Sequence, residues 1–199
     1  MTQFNPRIWG PFAWMLLHRA SFSFDSIGSA REFFDALPRI LPCEQCRENL
    51  TNHKKVLPFP KNKSQIGHWV YDLHNRVNDS TKVAADARPS FEEVVAKYKG
   101  VHPRPEEWKF LSYIVLSHPG KANASAEYLQ SLHTFLRVWL GTGVAQDAGK
   151  KPVLPSEDEV ARKTKLMAWL KQYAPTAARR QHRTATSSIC NAEMCALRS

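Results

Sequence analysis

The cysteines of this chain come in two close pairs, Cys43 and Cys46 in CEQC and Cys190 and Cys195 in CNAEMC, and there are no others. A CxxC that opens a helix is the arrangement that favours a thiolate, because the positive end of the helix dipole stabilises the negative sulfur. Two intervening residues let the sulfurs close a small ring, so such a pair can cycle between dithiol and disulfide. Pro42, just before Cys43, favours a helix start there. A secreted disulfide scaffold is excluded, since four cysteines in 199 residues are too few. Three readings of CEQC compete. A thioredoxin-like one needs a βαβ context, and strand alternation is absent. A zinc site would use Cys43, Cys46, His68 and His74, but the two histidines lie six positions apart on one predicted helix. That is about 600° of rotation, so they face different ways and no metal site is expected. The third reading is a dithiol docked against another redox centre, which requires a cofactor pocket nearby.

Trp14 and His18, in WMLLH, are four residues apart and share a helix face. His74 and Asn78, in LHNRVN, are again four apart, with Asn75 beside them. One such histidine alone reads as a satisfied core residue. Two such pairs on helices flanking a CxxC read as a pocket. Flat aromatics and imidazoles enclose an adenine ring, and amides hydrogen-bond a flavin edge or a ribose.

The order WxxxH, CxxC, HNxVN over residues 14–78 resembles the Erv/ALR family of FAD-dependent sulfhydryl oxidases, with the similarity extending over about residues 5–100. The resemblance implies a four-helix bundle plus a short fifth helix, with FAD bound non-covalently. It implies oxidation of protein dithiols to disulfides, with O2 as final acceptor and H2O2 as product. Cys46 is then expected nearest the flavin, and Cys43 outward, exchanging with substrate. Trp14, His18, His74, Asn75 and Asn78 match positions that hold the cofactor. Arg88 stands where the family usually has a lysine near the phosphates or the flavin, with Lys82 as its competitor, and Tyr98 is a candidate to flank the cofactor. The resemblance also implies a homodimer formed through the first helix, for which Phe12, Met15 and Leu16 are candidates. Many family members carry a bridging cysteine three residues before the HN histidine. Here that residue is Tyr71.

The C-x4-C pair, Cys190 and Cys195, matches a spacing the family uses on a flexible arm that relays electrons to the CxxC. A tethered dithiol gains effective concentration from its linker. Arg179, Arg180 and Arg183 give this arm a basic character.

The elements that must position these groups read as helices throughout, which makes the chain all-α. Expected spans are a first helix from Pro6 through Ala20, then Ser29–Leu37 ended by Pro38, Pro42–His53, Ser64–Asp79 and Phe91–Tyr98. Residues 1–100 are therefore expected to form the FAD-binding bundle. VHPRPEE at 101–107 reads as a linker or sharp turn. Beyond it, Glu106–Ser117, Ser125–Leu140 and Ser156–Tyr173 read as a second small helical region, 101–175, of no evident chemistry. Residues 176–199 read as a flexible basic tail. No internal repeat stands out.

Composition agrees with a globular helical protein: 43% hydrophobic and 23% charged residues. The net charge of +10 is spread over both halves, with no RNA-binding motif or finger series, so nucleic-acid binding is not expected. No run approaches the roughly 20 apolar residues of a membrane span, so no membrane partner is expected. The first residues, MTQFNPRIWGPFAW, lack the marks of a secretory signal. With the absent staple, this leads to the expectation of a large-DNA-virus enzyme acting in the cytoplasm, at the viral factory or in the virion. The mitochondrial intermembrane space is the alternative. The rival function is a non-catalytic helical scaffold or a zinc-binding interaction module.

Overall fold

The structure, a computed structural model, describes residues 4–180. Over these residues it is all-helical: α1 (Pro6–Ser21), α2 (Ile27–Ile40), α3 (Glu44–Val56), α4 (Ile66–Ser80), α5 (Phe91–Tyr98), α6 (Glu107–Ser117), α7 (Ala126–Gly141), α8 (Glu157–Ala161), α9 (Lys163–Tyr173) and α10 (Thr176–Arg180). Short 3-10 turns lead into α4, at Lys63–Gln65, and link α4 to α5, at Ala85–Ala87. Cys190 and Cys195 lie outside the described residues.

Local chemistry sets the helix starts. The Asn5 side chain accepts a hydrogen bond from the Arg7 amide at 2.9 Å, with Pro6 as the first helical residue. Ser26, Ser90 and Ser156 each form a capping box with the residue three further on. Cys43 is itself the N-cap of α3, its Sγ accepting from the Cys46 amide at 3.2 Å.

Three expected boundaries move. Pro38 lies inside α2 rather than ending it. A proline has no N–H to offer the carbonyl four residues back. Here that carbonyl, on Phe34, accepts from Lys54 Nζ of α3 at 2.7 Å instead. The expected helix Ser156–Tyr173 is two helices, broken at Arg162, whose backbone is extended (φ −110°, ψ 108°). Thr176–Arg180 is helical where a tail was expected; the Thr176 amide and hydroxyl both donate to Asp147.

α1 packs on α4 and α6, α2 on α3 and α7, and α6 on α9. One continuous apolar core results, running from Leu16, Phe33, Leu37 and Val70 to Trp108, Phe135, Trp139 and Leu166. Phe33 stacks on Phe135 with centroids 4.7 Å apart, and Trp9 on Phe110 at 5.8 Å. The α1 face expected to meet another copy therefore meets α6. Leu16 is fully buried, and Phe12 lies under the Lys109 ammonium, 4.8 Å from its ring centre.

A buried ion pair crosses the same seam. Arg19 Nε and Nη2 donate to the two Glu107 carboxylate oxygens at 2.6 and 2.8 Å, with the side chains 2% and 1% exposed. Arg19 also donates to the carbonyls of Thr142 and Gly143, and the Arg104 amide donates to Glu107. These bonds offset the cost of removing two charges from water. At the α4–α5 junction, where a bridging cysteine is missing, the Tyr71 hydroxyl donates to the Pro89 carbonyl at 3.2 Å. Phe91 packs between His68, at 4.7 Å, and Tyr71, at 5.5 Å. A non-covalent clamp holds this junction.

Candidate active site

α1, α2, α3 and α4 enclose a cavity of about 650 Å³, within the size range of small-molecule pockets. Its walls are largely apolar, with Leu17, Leu37, Leu41, Leu50, Leu73 and Val77 among them. Cys43, Cys46, Trp14, His74 and Asn78 all line it, so the structure gathers five of the expected site residues from three helices.

Both thiols sit at the start of α3. Cys43, at 4% exposed, is the more buried, and Cys46 is half-buried. The expected outward position of Cys43 therefore does not appear as greater exposure: it is Cys46 that opens more toward space. Burial pushes the Cys46 thiol up to about 12, reinforced by its hydrogen bond to Cys43 and by the proximity of that sulfur, against a smaller opposing pull from Arg47. The expectation that the helix start lowers the thiol pKa fails for Cys46, because desolvation outweighs the dipole there.

His18 and His74 form a buried pair. His18 Nε2 lies 2.9 Å from His74 Nδ1. Burial, helped by the Lys97 charge, holds His18 down to about 4. Burial also holds His74 well below the usual range, with His18 and Arg88 adding to it. Both rings are neutral at pH 7. Trp14 stacks face to face on His74 at 3.9 Å, and Tyr98 stacks on His18 at 5.3 Å. His18 and Tyr98 thus stand behind the cavity wall rather than on it.

The remaining candidates serve the wall from outside. Asn75 accepts from Asn78 Nδ2 at 3.4 Å. Arg88 pairs with Asp79 at 2.6 Å and donates through Nε to the carbonyl of Val83, a residue that lines the cavity. Lys82 is exposed, at a left-handed turn position with φ 61°. Neither Arg88 nor Lys82 reaches the cavity. Sequence reasoning missed Asn49 and His53, which also line it. Their signal was present, since they follow Cys46 by three and seven residues and so share its helix face. Burial lowers the pKa of His53, with Arg76 adding to it. Among the described residues no three His, Cys, Asp or Glu side chains converge as a metal site requires.

No solved structure is significantly similar to the chain. A protein of Acanthamoeba polyphaga mimivirus named as an FAD-linked sulfhydryl oxidase is 24% identical over 103 residues, covering 47% of this chain and 72% of its own length. One of Invertebrate iridescent virus 6, likewise named as an FAD-linked sulfhydryl oxidase, is 28% identical over 92 residues, covering 39% of this chain and 83% of its own. The model of the Erv1/Alr family matches residues 12–98, the stretch that carries the cysteine pair, the Trp14–His74 stack and the histidine pair. Residues 12–98 of this chain are thus similar to the Erv1/Alr family.

Proposed function

We propose that the protein is a flavin-linked thiol oxidase, which converts paired thiols of reduced protein substrates to disulfides. The observation that carries this reading is that Cys43 and Cys46 open into the same cavity as the stacked Trp14 and His74. The names of the viral relatives specify FAD, and the residues present fit that group. The cavity has the size and apolar lining of a cofactor pocket. The stacked Trp14 and His74 rings give it a flat aromatic face, with the Asn78 amide beside them. Trp14, His74 and Asn78 would hold the cofactor beside the thiols, with His18 and Tyr98 bracing the wall behind them. Bound there, FAD supplies a two-electron acceptor for the Cys43–Cys46 dithiol.

The chain's own thiols carry the exchange. A thiolate of the substrate attacks the Cys43–Cys46 disulfide, and a second substrate thiol releases the mixed disulfide. The substrate leaves as a disulfide and Cys43 and Cys46 are left reduced. Their reoxidation yields two electrons and two protons, which O2 accepts as H2O2, so two thiols and one O2 give one disulfide and one H2O2. Burial of Cys43 means that a protein thiol must displace part of its cover. A relay through Cys190 and Cys195 would bring a small dithiol to it. We place the activity in the cytoplasm of an infected cell or in the virion.

The test is an absorption spectrum of the purified protein, followed by oxygen uptake with a reduced protein substrate. A flavin spectrum and thiol-dependent uptake, lost in Cys43→Ser and in Cys46→Ser, are expected. A colourless protein that consumes no oxygen after FAD is added overturns the reading.

A further inference from the structure

The helices after residue 100 repeat cap and core positions of α1, α2 and α4. Shifted by 99 residues, Pro6 and Trp9 of α1 fall on Pro105 and Trp108 at the start of α6. The same shift carries Ser26 onto Ser125. Both are N-caps, accepting from the amide three residues on at 3.0 and 3.1 Å. It also carries buried Phe33, Ala36, Leu37 and Ile40 of α2 onto buried Leu132, Phe135, Leu136 and Trp139 of α7. With one more residue inserted, Ile66, Trp69 and Val70 of α4 fall on Leu166, Trp169 and Leu170 of α9, all six buried. Each tryptophan donates its indole N–H to a carbonyl of the preceding loop, Trp69 to Leu57 and Trp169 to Val153.

The packing repeats as well. α6 lies on α9 as α1 lies on α4, and between the two units α1 meets α6 and α2 meets α7. Contact of each element with its own counterpart is the signature of a two-fold interface between like units. The second unit lacks the chemistry. Tyr113 and Ser117 stand for Trp14 and His18, and Thr142 and Ala145 for the two cysteines. Buried Ala174 and Ala178 stand for His74 and Asn78. No helix corresponds to α3, since residues 142–156, between α7 and α8, are loop. What the second unit does provide is backing: Phe110 stacks on Trp9 and Tyr113 packs edge-on to Phe4, and Trp9 and Phe4 both line the cavity.

We infer that residues 105–178 are a degenerate second copy of the 6–78 unit, kept as a built-in partner. It closes the α1–α2 face and backs the cavity, so that the chain works as a monomer with one site. The single site rests on the function proposed above; the built-in partner does not.

Sedimentation or light scattering of the full chain under reducing conditions tests it. A mass of one chain, 22.7 kDa, is expected across a hundredfold range of concentration. A two-chain mass overturns the inference. Hydrogen exchange gives a second measurement on the same protein. Amides of α2 and α7 are expected to open together in one cooperative unit, and opening of α6–α9 while α1–α4 stays protected overturns the inference. Neither measurement needs flavin. Failure to take up FAD sinks the oxidase reading alone, whereas a two-chain mass in a flavin-loaded protein sinks this one alone.

Discussion

His18 and His74, 56 positions apart in sequence, share a single proton across the 2.9 Å between Nε2 of the first and Nδ1 of the second. Each neutral ring carries one N–H, and only one hydrogen fits between them. If His74 donated, His18 would be left with a buried Nδ1–H and no acceptor, because that atom has no partner. Orphaned buried N–H groups are rare and costly. The His18 Nε2–H therefore donates, and His74 keeps its proton on Nε2. His18 sets the tautomer of a ring that lines the cavity, and it does so from behind the wall.

This pair makes the fold acid-sensitive. The folded pKa of His18, about 4, lies below its unfolded value of 6.5, and His74 is shifted the same way. A depressed folded pKa means that stability is intact above pH 6.5 and is lost as pH falls toward 4. Full protonation of His18 alone costs on the order of 3 kcal/mol. Thermal melts of the flavin-free protein should show the loss between these limits, and His18→Phe should flatten it. An unchanged slope in that variant contradicts the assignment.

Cys46 should be a sluggish nucleophile in the flavin-free protein. With its thiol pushed up to about 12 by burial and by Cys43, its thiolate fraction near neutral pH is on the order of a thousandfold below that of an ordinary cysteine. Iodoacetamide labelling, read by peptide mass spectrometry, should rise about tenfold per pH unit well above pH 9. A plateau near pH 8 would show an ordinary thiol.

The sequence made some of this legible and hid the rest for physical reasons. Local patterns travelled well. The four-residue spacing of Trp14 and His18 put both on the inward side of α1, and Ser90 with Glu93 marked α5 at its observed ends. Interactions that cross the chain did not. Pro38 reads as a helix stop until Lys54, sixteen residues on, supplies the donor its neighbour's carbonyl lacks. Lys82 and Arg88 read as cofactor ligands by position, but the turn after α4 gives Arg88 a carboxylate and a carbonyl of its own. The internal repeat escaped notice because only caps and large core residues persist, such as Pro6 and Pro105 or Trp69 and Trp169.

The Arg19–Glu107 pair should be costly to break singly and cheap to replace. Burial raises the Glu107 pKa, and the hydrogen bonds and charge of Arg19 pull it back. Glu107→Ala leaves a buried guanidinium without its counter-charge and should cost about 3–5 kcal/mol. The double variant Arg19→Met, Glu107→Leu removes both charges and should cost less than Glu107→Ala alone, as measured by urea unfolding. Additive losses contradict this.

The clamp at the α4–α5 junction should rest on Phe91 more than on the tyrosine hydroxyl. Tyr71→Phe removes only the bond to the Pro89 carbonyl, which is exposed, and should cost about 1 kcal/mol or less. Phe91→Ala removes the ring that both His68 and Tyr71 pack against. Its loss should exceed that of Tyr71→Phe in chemical denaturation. The reverse order would place the hydroxyl at the centre of the junction.

Trp14 offers the most direct test of the cavity itself. Its ring lies flat on His74, tilted only 10° from parallel, and both rings line the cavity. An aromatic stacking contact contributes about 0.5–1.5 kcal/mol beyond buried area. Trp14→Phe keeps a stacking ring and should retain most of the bound flavin. Trp14→Ala loses the stack and frees His74 to turn, so flavin affinity should fall about tenfold or more. The ratio of flavin to protein absorbance after gel filtration reads both variants. The comparison separates stacking from simple space-filling: if Trp14→Leu, apolar but not aromatic, holds flavin as well as Trp14→Phe, the ring's role is bulk, and the cofactor's place in the cavity must be sought on the Leu17–Leu41 wall instead.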